Sequence, residues 1–240
     1  MFRLAVALAA TTLLTGCGAV TLPPGGPAPT SGHVSLNDLP VPANVCTAVD
    51  DTSTVATFRS SLIDYVECAR QSWTPALEAI GRQAPDPAVF VETTDAPSAC
   101  TGELTDDEAG MYCRLDGSLI FSDDLRWMAD DWDLTAARVV FHEYAHAVQH
   151  ELGMVLDTSP GTSTRRIELQ ATCWSAMLLR TLEGLQVTDE VRQDLADDVG
   201  SVGDADHGTS ESRRRWTLIG FDATSMAACD TSKAPDDHVA

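Results

Sequence analysis

The sequence predicts an α+β domain in which a small N-terminal β portion is followed by a helical half. Two short apolar runs, Ala88-Val89-Phe90-Val91-Glu92 and Ser118-Leu119-Ile120-Phe121-Ser122, carry the β-branched and aromatic residues typical of strands. From about residue 134 onward, apolar residues recur at helical spacing instead. Strands first and helices after is the pattern of the α+β class. Hydrophobic residues make up 44% of the 240, enough for one sizeable core with flanking segments.

Each element has a local reason. Met1-Phe2-Arg3 and the apolar run from Leu4 to Leu14 read as an export signal, and the run is too short to span a bilayer. It ends Leu14-Thr15-Gly16-Cys17, and a small residue before cysteine resembles the bacterial lipobox, whose cysteine is acylated and becomes the new N-terminus. The expected division is a lipoprotein signal peptide over 1–16, a lipid-anchored flexible linker over 17–45 and one folded domain over 46–240. Richness in Pro, Gly, Ser and Thr, as in Leu22-Pro23-Pro24-Gly25-Gly26-Pro27, marks residues 18–45 as an unstructured tether, with His33 solvated in it. Lipid on Cys17 is expected to hold the domain at the extracytoplasmic face of the cell membrane.

Phe58, Leu62, Tyr65, Val66 and Ala69 share one helical face, which predicts a helix over about 55–71. Thr74-Pro75, with proline at a first helical position, predicts a second running to about Arg82. The two strands follow, the second after a turn at Asp116-Gly117, and Cys100 and Cys113 bracket an acidic loop between them. Asp133 is the expected cap of a helix over about 134–152, which Gly153 ends. A loop over Thr158–Thr164 leads to a long helix over about 164–183 that stops near Gly184. Thr188 caps another to about Val199, and a last one runs from about Ser210 to Ile219 before Gly220.

Acidic residues outnumber basic ones 36 to 15, giving a formal net charge of −21. Such a surface repels nucleic acid, keeps the chain soluble and attracts basic peptides. The seven cysteines are consistent with export. Assigning Cys17 to lipid leaves six, for which 15 pairings are possible. Proximity suggests Cys46–Cys68 and Cys100–Cys113. The remaining pair, Cys173–Cys229, would clip the C-terminal segment onto the helix carrying Cys173.

The stretch His142-Glu143-Tyr144-Ala145-His146 carries the chemistry. Residues four apart on a helix lie one above the other, so both imidazoles leave the same face and can ligate one Zn²⁺. Glu143 stands beside that face, where a carboxylate can take a proton from water. Leu134, Ala137, Phe141, Tyr144, Ala145 and Val148 make the rest of the helix apolar, and buried imidazoles need partners. A third ligand is expected at Glu168, 22 residues past His146, a span that allows a loop and a returning helix. His150 is the competing candidate, but a straight helix puts it about 6 Å further along the axis.

His142-Glu143-Tyr144-Ala145-His146-Ala147-Val148-Gln149 resembles the zinc helix of the putative neutral zinc metallopeptidases of bacteria. The block Glu168-Leu169-Gln170-Ala171, with Cys173 after it, resembles that family's second motif. His207-Gly208-Thr209-Ser210, Arg213, Arg215-Trp216, Gly220-Phe221 and Cys229-Asp230-Thr231 resemble its third, and Ala99-Cys100 with Tyr112-Cys113 its upstream region. The resemblance covers roughly residues 88–232. It implies a zincin-like, gluzincin-type α+β fold with a helical catalytic half, one Zn²⁺ per chain on His142, His146 and Glu168, and Glu143 as base. Three positions depart from the family pattern: Ala145 stands for Gly, Ala147 for His and Thr172 for Asp. An Asp at 172 would orient a ligating histidine; a Thr hydroxyl there is an uncharged acceptor, a change that can cost 10–100-fold in metal affinity or activity.

His207, before Gly208 and a capped helix, is a candidate to stabilise an oxyanion, or else fixes a local turn. Arg213 and Arg215 are expected to pair with acidic helix residues, and Trp174 and Trp216 to lie in the core. The expected function is hydrolysis of peptide bonds in a peptide or protein by zinc-activated water at the membrane surface. The alternative is a catalytically inactive zinc-binding lipoprotein that acts as an envelope binding or scaffold protein. A metal-free structural lipoprotein is a third reading.

Overall fold

The computed structural model describes residues 35, 38–42, 46–92, 98–102, 104, 108–131, 134–154, 161–201 and 203–240. The expected signal peptide, the lipid site at Cys17, His33, the Asp133 cap and residues 158–160 of the expected loop lie outside these residues, whereas Thr162–Thr164 of that loop already belong to a helix.

Helix α1, Val55–Ala79, opens with a reciprocal cap. The Thr54 hydroxyl accepts from the Thr57 N–H at 3.1 Å, and the Thr57 hydroxyl accepts from the Thr54 N–H at 3.0 Å. Where the sequence predicts two helices, the chain forms one that passes through Pro75. The apolar face explains this: Tyr65, Ala69, Trp73, Ala76 and Leu77 are buried on both sides of the proline. Burying side chains such as Trp73 and Leu77 is worth about 1.5–3 kcal/mol each, against about 3 kcal/mol for an interior proline. The Thr74 hydroxyl also donates to the Arg70 carbonyl at 2.7 Å, supporting the turn the proline weakens.

Strands β1 (Val89–Val91), β2 (Gly110–Tyr112) and β3 (Leu119–Phe121) form a sheet of order β1-β3-β2. β1 runs parallel to β3 and β2 antiparallel to it. The sequence predicts only acidic loop where β2 lies. Its residues are half-buried and show no apolar alternation, so pairing with β3 rather than intrinsic preference makes it a strand. Helix α2, Asp124–Asp131, is likewise unforeseen, anchored by Leu125 and Ala129.

Helix α3, Thr135–Glu151, ends as expected at Gly153, whose φ of 72° closes the helix. Gly153 N–H donates to the His150 carbonyl and Met154 N–H to that of Gln149, both at 2.9 Å. Helix α4, Thr162–Leu179, stops before the expected residue 183 because the chain turns there to meet Cys46. Cys46 N–H donates to Thr181, and Glu183 N–H donates back to Cys46. Helix α5, Asp189–Val199, has the expected Thr188 cap. Helix α6, Ser210–Asp222, continues through Gly220 instead of ending before it. A Cβ at Gly220 would overlap the Cys173 carbonyl, so α6 needs a residue without a side chain here to pack on α4.

Three disulfides close the described chain: Cys46–Cys68, Cys100–Cys113 and Cys173–Cys229. The last ties α4 to a C-terminal strap of three short 3₁₀ turns, Met226–Cys229, Thr231–Lys233 and Asp236–His238. Arg166 donates to the carbonyls of Thr231 and Ala234 and pairs with Asp236, while Trp216 Nε1 donates to the His238 carbonyl at 2.9 Å. Trp73 of α1 and Trp174 of α4 meet edge to face at 5.0 Å in the core between them. Among the described residues no helix is long and apolar enough to cross a membrane.

Candidate metal and catalytic site

The helical period of α3 puts His142 and His146 on one face, and α4 packs against α3 to bring Glu168 onto them. His142 Nε2 and His146 Nε2 are 3.2 Å apart, and Glu168 Oε2 lies 3.2 Å from the first and 3.0 Å from the second. A triangle of these sides has a point about 2.0–2.1 Å from every corner, the distance at which zinc takes imidazole nitrogen and carboxylate oxygen. The three side chains can therefore hold a metal ion. His150 is not part of this triangle; its Nδ1 meets the Tyr112 hydroxyl at 2.7 Å.

The charges fit the same use. Burial holds the His142 imidazole down at about 4. Burial works against charging His146 too, but the Glu168 carboxylate overcomes it and raises that imidazole to about 9. Burial pushes Glu168 up, yet the two imidazoles hold it well below the ordinary carboxylate range. Without a cation, the trio thus keeps a proton on His146 against an ionised Glu168. A divalent ion that displaces that proton meets two neutral nitrogens and one carboxylate, which is zinc chemistry.

Glu143 is 8% exposed, and burial pushes its carboxyl up to about 7. The Tyr112 N–H of edge strand β2 donates to it, so the unforeseen strand orients the candidate base. His207 approaches from the loop before α6, its Nε2 3.6 Å from Glu168 Oε2. Its Nδ1 lies 2.9 Å from Asp204 Oδ2, and its backbone N–H donates to Asp204 Oδ1 at 2.6 Å. Burial pushes the Asp204 carboxyl up, but the His207 N–H and imidazole hold it below its ordinary value. Asp204 was missed in the sequence; the available signal is an acid three residues before a motif histidine.

The expected partner for a ligating histidine, Thr172, lines the cleft, but the acceptor at His146 Nδ1 is Gln149 Oε1 at 2.8 Å. Gln149 follows His146 by three residues on one helical face, and that spacing was the overlooked signal. A cavity of about 570 Å³ opens beside Glu143, with Val139, Ala176 and Leu179 on its walls and Arg138, Asp198 and Arg213 among them. A smaller one of about 250 Å³ lies on the Glu168 and His146 side. Arg138 pairs with Asp198 at 3.3 Å and Arg215 with Glu211 at 3.6 Å. Trp174 and Trp216 are buried.

The sequence profile of the family described as putative neutral zinc metallopeptidase matches residues 45–232. The uncharacterized protein YpfJ of Escherichia coli is 26% identical over 191 residues, 67% of this chain and 66% of that protein. Uncharacterized proteins of Mycobacterium tuberculosis and Mycobacterium bovis are 23% identical over 201 residues, 68% of this chain and 67% of theirs. The chain thus spans about two thirds of the length of the relatives it matches. No solved structure matches it.

Proposed function

The chain belongs to the putative neutral zinc metallopeptidase family, and from that premise we propose that it is a membrane-anchored, extracytoplasmic zinc metallopeptidase that hydrolyses peptide bonds. The observation that carries this reading is the 3.0–3.2 Å triangle of His142, His146 and Glu168 beside a buried Glu143. Those three residues would hold one zinc per chain. When bound, zinc supplies a Lewis acid that acidifies water and polarises a carbonyl. Glu143 accepts the proton from the attacking water and passes it to the leaving amine nitrogen. Its raised pKa, about 7, suits a group that must both take and return a proton near neutrality. His207, its ring held at Nδ1 by Asp204, would donate from Nε2 to the oxygen that gains charge. The 570 Å³ cavity, walled by Val139, Ala176 and Leu179, takes a substrate side chain.

Glu143→Gln is expected to bind zinc at the parent's stoichiometry and to lose turnover; proteolysis retained in that variant would defeat the assignment. The second reading, an inactive zinc-binding lipoprotein that acts as an envelope binding or scaffold protein, is favoured by Thr172 standing where the family carries Asp. It predicts zinc binding with no Glu143-dependent cleavage, so the same pair of measurements separates the two.

The anchoring part rests on the sequence of residues 1–45: a signal peptide over 1–16, lipid on Cys17 and a tether expected over 17–45, which is shorter than that because Leu39 is already buried in the core of the folded domain. Labelling with a palmitate analogue should mark the parent and not Cys17→Ala. Equal labelling of both would remove the membrane from the proposal.

A further inference from the structure

His146 is held from behind by a chain of buried amides. Gln149 Nε2 donates to the Ile167 carbonyl at 3.0 Å and to Gln170 Oε1 at 3.1 Å. With two acceptors facing its nitrogen, Gln149 must turn its oxygen to His146 Nδ1, 2.8 Å away. An amide oxygen only accepts, so Nδ1 keeps its proton and Nε2, the atom in the triangle, is the nitrogen left to bind an ion. Gln170 Nε2 in turn donates to the Cys229 carbonyl at 3.2 Å. Gln149 is fully buried and Gln170 is 4% exposed, so neither amide can trade these partners for water without opening the core.

Cys229 belongs to the C-terminal strap, and its sulfur is bonded to Cys173, one helical turn after Gln170 on α4. The amide chain therefore runs from α3 through Gln170 of α4 to the strap, which the disulfide ties back to α4. The strap also reaches the other side of the site: Thr209 N–H donates to the Ala240 carbonyl at 2.7 Å. Arg165 Nε donates to Val239 and its Nη1 to Ala205, two residues before His207.

We propose that Gln149 and Gln170 are positioning residues of the metal centre and that the Cys173–Cys229 disulfide anchors them, so that the C-terminal strap sets the affinity of the site. This rests on the zinc reading above. A histidine whose rear partner is removed keeps its place in the sequence but loses its orientation, and the ion registers that as weaker binding.

The test uses the full chain, with zinc dissociation measured by chelator competition and the visible spectrum of the Co²⁺-loaded protein as a second readout. Gln149→Leu should weaken zinc by about 10–100-fold and alter the Co²⁺ spectrum. Gln170→Leu should do the same to a smaller degree, and so should Gln170→Glu, which keeps an acceptor facing Gln149 but sets a carboxylate oxygen against the Cys229 carbonyl. The double Gln149→Leu/Gln170→Leu variant should be no weaker than Gln149→Leu alone, because the two act in series. Removing Cys173–Cys229 by paired Cys→Ala changes should weaken zinc, whereas removing Cys46–Cys68, which does not touch the relay, should not. Should the first disulfide variant fail to fold, the glutamine variants decide the question. A folded Gln170→Leu with the parent's zinc affinity and Co²⁺ spectrum would overturn the proposal. A parent that binds no zinc would overturn the metal reading itself, and with it this one.

Discussion

Asp204 gives His207 its direction. The carboxylate takes both the ring Nδ1 and the backbone N–H of His207, leaving Nε2 to face the cleft 3.6 Å from Glu168. A donor aimed at developing charge typically contributes 10²–10³-fold to turnover. His207→Ala is therefore expected to lower kcat by about that factor with zinc content unchanged. Asp204→Asn should fall between that variant and the parent, because an amide oxygen still accepts from the ring but more weakly than a carboxylate. Zinc lost from either variant would instead make His207 part of the metal's support. The two candidate histidine ligands and the candidate base were readable from the sequence because the helical period alone puts residues four apart together. Asp204 and Gln149 were not, because an acid in a turn or a glutamine inside a helix gains its role only from the partner the fold brings to it.

At the scale of elements, the α4–α6 contact decides how the two halves of the site meet, since Glu168 lies on α4 and His207 just before α6. Gly220 lets the helices touch backbone to backbone against the Cys173 carbonyl. Gly220→Ala adds one methyl group at that contact, and overpacking of this kind costs about 1–3 kcal/mol. The expected result is a fall in melting temperature of roughly 2–4 °C per kcal/mol for a chain of this size. An unchanged melting curve would show that α6 can shift without cost. Helical spacing revealed α3 to α6 in the sequence, but read Gly220 as a terminator and Pro75 as a start. The Pro75 reading fails because local preference of a few kcal/mol yields to burial of a continuous apolar face, and the Gly220 reading because the glycine serves the contact with α4 instead of ending the helix. β2 shows the converse, since its three residues become a strand only by pairing with β3, and through the Tyr112 N–H they hold Glu143.

The whole molecule carries a net charge of −21, and that property was plain from composition alone. The C-terminal strap was not, because it is held by backbone carbonyls meeting Arg165, Arg166 and Trp216, contacts that leave no periodic trace in the chain. Acidity and site combine in one expectation about substrates. Glu108, Asp198, Asp204 and Asp206 line the two cavities beside Arg114, Arg138 and Arg213, so a smaller acidic excess of the same sign persists at the cleft. A field of that sign draws in cationic peptides and repels anionic ones, and its reach shrinks from about 30 Å at 0.01 M salt to about 8 Å at 0.15 M. For a Lys-rich peptide, kcat/KM is therefore expected to fall several-fold over that range. For an uncharged peptide with the same cleaved bond it should stay flat, and for a Glu-rich one it should rise. The changes should appear in kcat/KM and not in kcat, because steering acts on encounter and not on the bound state. Identical salt profiles for the three peptides would mean that the charge serves solubility alone and that substrate choice lies entirely within the cavity beside Glu143.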